Sequence, residues 1–282
     1  MSERLEVKKT YKLYIGGAFP RSESGRTYEI NGPDGGFIAN ACLASRKDLK
    51  DAVVAARSAQ NSWANATAYN RGQILYRIAE MLEGRTEQFV NEISASEGIS
   101  ESKAEREVHV AIDRWVWYAG WSDKLAVLAG STNPVSGPYY NFTIPEAMGV
   151  VGAIATDKNS LLGLVDAIAP IIVSGNSCII LASGRAPLSA MTFAEVLATS
   201  DLPHGVCNIL TGSMEELAPW FASHMDINGL DISGVDEPSL ISDIKTAGAQ
   251  NLKRIHSFSK TEDPKRILAF MEAKTIWHPI GI

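Results

Sequence analysis

The sequence predicts an α/β fold built on a doubly wound, mostly parallel β-sheet. From Gly149 onward, short apolar segments alternate with helical segments, which is the pattern of successive βαβ units. Before Gly149, apolar residues recur mainly at helical spacing, so further helices are available to cover the sheet. The chain has 282 residues, of which 45% are hydrophobic, and this suffices for a core between such layers.

Composition and charge exclude several classes of function. The chain has 26 Lys and Arg against 32 Asp and Glu, and a net charge of −6 argues against a nucleic-acid partner. Its most apolar stretch, residues 165–182, contains Asp166 and Pro170 and is too short and interrupted to cross a bilayer, so no membrane partner is expected. Three distant cysteines and five scattered histidines indicate neither disulfides nor a metal site. With a charged, polar N-terminus, these features favour a cytoplasmic protein.

The N-terminal part is expected to contain short strands and then a helix. Residues 11–17 and 25–30 alternate apolar and polar side chains and predict two strands, whose pairing as a hairpin is one possibility. A turn is expected at residues 33–36. Ser45 and Asp48 have the spacing of a capping box, which predicts the start of a long helix.

More helices and an arm follow. Helical spacing begins near Ile74 and continues past a break at Gly84, and residues 101–128 predict another helical stretch. Residues 130–146 combine prolines with an aromatic β-type run, which predicts an exposed arm of two strands. The tail, residues 263–282, begins with a short helical turn and then predicts a terminal edge strand.

The remaining segments predict the parallel sheet. The expected strands are residues 149–155, 176–182, 205–212, 227–233 and 251–259, and the expected helices are 160–175, 187–200, 214–224 and 237–248. A Rossmann-type sheet that binds a dinucleotide has G-x-G-x-x-G after its first strand, and this chain lacks that motif. Gly234 could still contact a phosphate, but Asp236 and Glu237 follow it and would repel one. Helix capping is therefore the better explanation.

No side chain is identified as a catalytic nucleophile. Cys178 and Cys207 fall in expected buried strands, where a cysteine behaves as a small apolar residue. Cys42 lies in a polar, turn-like segment with Arg46 nearby, which is weak support for reactivity. The serine-nucleophile motifs S-x-x-K and G-x-S-x-G are absent.

Several segments, in order along the chain, resemble the aldehyde dehydrogenase superfamily. They include YIGGAFPRSESGRTYEI, NRGQILYRIAEMLEGR, YAGWSDK, PEAMGVVGAI, PIIVSGNSCIILAS and LPHGVCNILTG, and together they span about residues 10 to 256. The D-x-x-x-L-L run at Asp157 and the K-T-I-W-H-P tail are most similar to the shortened second module of two-module members. The resemblance implies a Rossmann-like domain of residues 1–129 and 147–262. Residues 130–146 and 263–282 would form the oligomerisation arm and the C-terminal strand.

Family members oxidise aldehydes with NAD(P) by means of a cysteine nucleophile, a glutamate base and an oxyanion-stabilising asparagine. The family's P-W-N-F-P is TDKNS here, so Lys158 takes the oxyanion position unless a one-residue slip brings Asn159 there. The ribose-binding K-P-x-E is LASG, and F-T-G-S has become ISGV. By resemblance, the candidate cofactor contacts are only Ser183, Ser233 and Gly234.

The family's base-bearing L-E-L-G-G-K is replaced by HSFSK at residues 256–260, and the block with the nucleophilic cysteine is absent before the tail. The resemblance therefore implies that the catalytic domain is missing, with no catalytic residue and with NAD(P) suggested by family alone. It implies a structural or regulatory subunit, in a homo-oligomer or with a full-length aldehyde dehydrogenase. The alternatives are a nucleotide-binding protein, or an active dehydrogenase whose cysteine is Cys42 or is supplied in trans.

Overall fold

The fold is described from a computed structural model of the chain, over residues 9–259 and 262–281. Residues 1–8, Lys260, Thr261 and Ile282 lie outside the described residues, and with them the expected polar N-terminus and the last residue of HSFSK.

A small sheet lies at the N-terminal end. Its strands are β1 (Thr10–Tyr11), β2 (Thr27–Asn31) and β3 (Phe37–Cys42), in the order β1-β3-β2. The expected hairpin between residues 11–17 and 25–30 is wrong, because β2 pairs with β3 and β1 runs parallel to β3. Tyr14 instead exchanges two backbone hydrogen bonds with Ile209. The expected turn after residue 32 joins β2 to β3, with Gly35 at a φ of +79°.

Five helices follow: α1 (Arg46–Asn65), α2 (Ala68–Glu83), α3 (Thr86–Glu97), α4 (Glu101–Ala119) and α5 (Leu125–Ala129). The capping box of α1 is confirmed. The Ser45 hydroxyl accepts from the Asp48 N–H at 3.3 Å, and the Asp48 carboxylate accepts from the Ser45 N–H at 2.8 Å. The expected break at Gly84 separates α2 from α3, and Gly98 ends α3 in the left-handed conformation.

The arm begins with β4 (Ser131–Asn133) and β5 (Tyr139–Ala147), and the central sheet comes next. Its elements are β6 (Val150–Ile154), α6 (Ser160–Val173), β7 (Ser177–Leu181), α7 (Leu188–Ala198), β8 (Cys207–Leu210), α8 (Met214–Ser223), β9 (Gly229–Asp231), α9 (Pro238–Ala249) and β10 (Arg254–His256). All five strands are parallel, in the order β10-β9-β6-β7-β8. The doubly wound α/β fold is confirmed.

Apolar cores lie on both faces of the central sheet. On one face, Trp115 of α4 stacks on Phe193 of α7 with ring centroids 5.7 Å apart, and α6 completes this layer. On the other face, Leu49 of α1, Phe221 of α8 and Ile244 of α9 form the second core. Every residue of β6 and β7 is buried, and apart from Ser177 these strands have no polar side chain, so they do not alternate.

The last elements are the short helix α10 (Pro264–Leu268) and the strand β11 (Met271–Pro279). β11 pairs antiparallel with β5 along its whole length, from Met271 opposite Ala147 to Pro279 opposite Tyr139. The arm is thus a sheet of three strands in the order β11-β5-β4. Among the helices of the described ranges, none is long and apolar enough to cross a membrane.

Candidate functional site

The candidate site is a cleft at the carboxyl ends of β6 and β9. From β6 the chain runs outward through β7 and β8 and then returns to β9 on the other side of β6. Open α/β sheets bind ligands at such a switch point, where the strand order reverses. The cleft has a volume of about 270 Å³. Its walls come from the end of β6, the first turns of α6, the turn after β9, Phe258 and Arg266.

Ser233 and Gly234 both lie in this cleft, but their polar groups are used within the protein. The Gly234 N–H donates to the carbonyl of Ile154 at 3.1 Å. A Cβ at Gly234 would come within 2.4 Å of the backbone of Ala155, so the turn needs a glycine to approach β6. The Ser233 hydroxyl donates to Asp231 and accepts from the Phe258 N–H at 2.9 Å.

Ser183 lies at the end of β7, outside the cleft that holds the other two candidates. Its side chain is buried, donates to Asp157 at 2.6 Å and accepts from the Ala186 N–H at 3.0 Å. A separate cavity of about 350 Å³ adjoins it, between the ends of β7 and β8. The structure thus brings Ser233 and Gly234 together and leaves Ser183 apart, where its hydroxyl closes the turn after β7.

Lys158 and Asn159, the two alternatives for the oxyanion position, are both exposed at the mouth of the cleft. The Lys158 ammonium lies 3.2 Å from Asp236, and both side chains are about 80% exposed, so water screens this pair. Asn159 has a φ of +56°, in the left-handed region, and its side chain makes no cap hydrogen bond to α6.

Two buried ion pairs border the cleft, and sequence reasoning identified neither. Arg266 donates to Asp231 at 2.8 Å, with 4% and 1% of the two side chains exposed. Arg114 donates to Asp166 at 2.7 Å, with 7% and 9% exposed. Burial raises the pKa of Asp166 to about 6, while the neighbouring arginines act in the opposite direction. A signal existed, because Asp166 and Asp231 are single charges inside apolar segments, and buried charges need partners.

The N-terminus of α6 is capped by glutamates from neighbouring helices. Glu97 accepts from the Ser160 N–H at 2.9 Å, and one oxygen of Glu107 accepts from the N–H groups of Leu161 and Leu162 at 3.0 and 3.1 Å. Burial raises the pKa of Glu107 to about 7, against the lowering effect of these backbone hydrogen bonds. The amides that could bind an anion at this helix end are therefore bonded to side chains of the protein.

The three cysteines are all buried and none lines the cleft. Cys178 and Cys207 are opposite each other on β7 and β8, and burial raises the pKa of the Cys207 thiol. The expectation for Cys42 is corrected, since it ends the strand β3 rather than lying in a polar turn, and it is 1% exposed. Across residues 9–259 and 262–281, no three His, Cys, Asp or Glu side chains are grouped as metal ligands.

Comparison with known proteins decides the family. A sequence profile described as the aldehyde dehydrogenase family matches residues 19–267. The chain belongs to the aldehyde dehydrogenase family. Cytosolic 10-formyltetrahydrofolate dehydrogenase from Mus musculus is 30% identical over 261 residues, which cover 90% of this chain and 28% of that protein. The putative aldehyde dehydrogenase DhaS of Bacillus subtilis (strain 168) is 30% identical over 265 residues, which cover 90% of this chain and 52% of that protein.

Solved structures of aldehyde dehydrogenases share the fold. The NAD⁺ complex of the enzyme from Bacillus cereus gives a TM-score of 0.83 at 27% identity, covering 88% of this chain and 50% of that one. The chain thus spans about half the length of this enzyme and of DhaS. The expected family and fold are confirmed.

The residues of the cleft in this family member do not fit NAD(P). The amides at the start of α6 bond to Glu97 and Glu107, and at the start of α9 the Glu237 side chain accepts from the Ser239 N–H at 3.4 Å. Asp166 and Asp231 both line the cleft, and each holds a buried arginine, Arg114 and Arg266, whose guanidinium is thereby engaged with a carboxylate of the protein. None of these backbone amides is left free to hold a pyrophosphate.

Proposed function

We propose that this aldehyde dehydrogenase family member is non-catalytic and acts as a structural or regulatory subunit of an NAD(P)-dependent aldehyde-oxidising assembly. One observation carries the proposal. The cleft at the carboxyl ends of β6 and β9, called here the switch-point cleft, has no thiol among its lining residues, and all three cysteines are buried in strands. A thiolate nucleophile must reach its substrate. The likeness to the shortened second module of two-module members, in which a full catalytic module precedes it, supports the same role.

The arm supplies the contact in this proposal. β11 is an edge strand, and exposed edges are sites where another chain can pair. Large apolar side chains are exposed on the arm: Tyr139 (42%), Tyr140 (47%), Trp277 (58%) and Ile280 (52%). The rings of Tyr139 and Trp277 meet edge to face at 5.8 Å, so they form one apolar surface. Such a surface supports either self-association or binding to a full-length family member.

Light scattering after size exclusion tests this proposal, with the chain alone and with a full-length aldehyde dehydrogenase from the same genome. The expected result is a homo-oligomer or a co-eluting complex. Trp277→Ser should weaken the association at least tenfold, whereas Leu252→Ser, at a 92% exposed position outside the arm, should not. A stable monomer that binds no full-length family member would contradict the proposal.

A second candidate function is nucleotide binding, including catalysis with a cysteine from a partner. The observation that favours it is the fold match to an NAD⁺ complex. Calorimetry with NAD⁺ and NADP⁺ separates the two, because a Kd below about 100 μM, roughly −5.5 kcal/mol, would support this second candidate. We also propose a cytoplasmic location, in keeping with three unpaired cysteines.

A further inference from the structure

The short helix α10 lies against the cleft, at the position where a ligand would approach the end of β9. Its middle residue Arg266 is 3% exposed and lines the cleft, and the adjacent Ile267 is fully buried in the core. A helix of five residues has little stability of its own. The position of α10 must therefore be held by contacts with the rest of the chain.

We propose that α10 is an internal plug that closes the switch-point cleft against nucleotides, and that the Arg266–Asp231 ion pair holds it there. This inference concerns the isolated chain and does not depend on the subunit role proposed above.

The first contact that holds the plug is the ion pair itself. Asp231 is the last residue of β9 and is 1% exposed, so its carboxylate needs a cation inside the protein. Arg266 supplies that cation at 2.8 Å, and its guanidinium also lies 4.9 Å from the centre of the Phe258 ring. Because Phe258 donates its N–H to Ser233, the turn after β9, Phe258 and α10 are linked in one network.

A second contact holds the start of the plug. Glu262, just before the N-cap Asp263, places a carboxylate oxygen 3.4 Å from the Nε of Arg114. Glu262 is 55% exposed, so this contact is weaker than the buried pair. Arg114 also holds Asp166 on α6, and α10 is thus connected to both walls of the cleft.

The plug excludes a nucleotide by volume and by charge. About 270 Å³ remains in the cleft, below the range of about 300–1,000 Å³ that is usual for small-molecule pockets. A nucleotide that displaced Arg266 would leave its phosphates close to the carboxylate of Asp231, which then would have no cation. A variant whose cleft admits a nucleotide must therefore lack both the charge of Arg266 and the charge of Asp231.

Hydrogen exchange measured by mass spectrometry tests the plug in the unmodified chain first. Residues 264–270 should exchange slowly, and NAD⁺ at 1 mM should leave their exchange unchanged. Fast hydrogen exchange of α10 would overturn the proposal. So would NAD⁺ binding with a Kd below 100 μM while the amides of α10 stay protected from exchange.

The double variant Asp231→Asn/Arg266→Met then removes both charges and leaves no unpaired buried ion. The hydrogen-exchange rate of residues 264–270 should rise at least tenfold in this variant. In this variant only, 1 mM NAD⁺ should lower the exchange rate of residues 231–236. Lys274→Met, which removes an exposed ion pair to Glu146 in the arm, should leave α10 unchanged. Glu262→Gln should raise the hydrogen-exchange rate of residues 264–270 twofold to fivefold. This variant provides the test if the double variant does not fold.

Unchanged exchange of α10 in the folded variants would show that the ion pair does not hold the helix. Faster exchange without any effect of NAD⁺ would show that α10 does not exclude nucleotides. Either outcome overturns the proposal, and neither changes the oligomerisation test of the proposed function.

Discussion

Gly234 is a candidate cofactor contact, and its surroundings show that it is also needed for packing. The turn after β9 approaches the end of β6 so closely that a Cβ would lie 2.4 Å from the carbonyl group of Ala155. We expect Gly234→Ala to lower the free energy of unfolding by about 1–3 kcal/mol, since the backbone must move. Gly184→Ala is the control, because its Cβ would meet its nearest atom at 3.4 Å, an ordinary contact. Urea denaturation measures both, and equal effects would contradict a packing role.

Glu107 makes stability depend on pH in a direction that can be stated. Because its pKa is raised to about 7, the folded state holds the proton more tightly than the unfolded state, where the pKa is about 4.3. The stabilisation is complete below about pH 4 and is lost as the pH rises to about 7. The unfolding free energy of the unmodified chain should therefore fall between pH 4.5 and pH 7.5. In Glu107→Gln this fall should be smaller by on the order of 2 kcal/mol.

Urea denaturation at these two pH values checks the prediction for Glu107. Glu105→Gln, at an exposed position on the same helix, is the matched control and should leave the pH dependence unchanged. An identical pH dependence for Glu107→Gln and the unmodified chain would contradict the assigned pKa.

Residue types at the candidate site could be predicted only in part. Ser233 and Gly234 were identified because they match a motif, and motifs are local in sequence. Arg266 and Arg114 were missed because their partners Asp231 and Asp166 are 35 and 52 positions away. A lone carboxylate inside an apolar strand or helix indicates that a cation is needed, but it does not say which cation the fold brings.

At the scale of elements, the capping box of α1 connects the helix to the N-terminal segment. The Asp48 carboxylate accepts from the Ser45 N–H, and also from the Ser22 hydroxyl at 2.7 Å and the Glu23 N–H at 3.0 Å. Asp48→Ala would leave these donors without their acceptor. We expect a loss of about 2 kcal/mol in unfolding free energy, at the upper end for a cap residue.

The control for this prediction is Asp51→Ala, an exposed position on the same helix, with an expected change within about 0.5 kcal/mol. Chemical denaturation followed by circular dichroism measures both variants. A change for Asp48→Ala as small as that of the control would show that the cap contributes only local order.

Strand pairing at the N-terminus shows why elements are easier to predict than their partners. The strand expected at residues 25–30 exists as β2, whereas residues 11–17 form no continuous strand: Tyr11 ends β1, and Tyr14 makes an isolated bridge to Ile209. The reason is that β8 is an edge strand of the central sheet, so the N–H and C=O groups on its outer side need hydrogen-bond partners, and Tyr14 supplies them at Ile209. A separate contact joins the end of β3 to the residue after β8, because the Thr211 hydroxyl donates to the Cys42 carbonyl at 2.6 Å.

For the whole molecule, the main prediction is the absence of turnover by the chain alone. With Cys42, Cys178 and Cys207 buried, purified protein should form no NADH from NAD⁺ and an aldehyde above the rate without protein. The same burial means that Ellman's reagent should label no thiol in the native state and all three in denaturant.

Ser102→Cys, at an exposed helix position, is the control for the thiol titration and should add one fast-reacting equivalent. A native thiol that reacts within seconds, or NADH formed in proportion to the protein concentration, would contradict a non-catalytic role.

The sequence by itself determined the order of strands and helices from β6 to β10, the parallel sheet and the likeness to aldehyde dehydrogenases, since all three follow from local apolar patterns and from segments of chain. The tertiary structure alone decided that Arg266 of α10 lines the cleft and neutralises Asp231, and that the start of α6 is capped by Glu97 and Glu107. These are contacts between residues far apart in the chain. They exist because burial forces each charge and each amide to find whatever partner the packed elements bring near it.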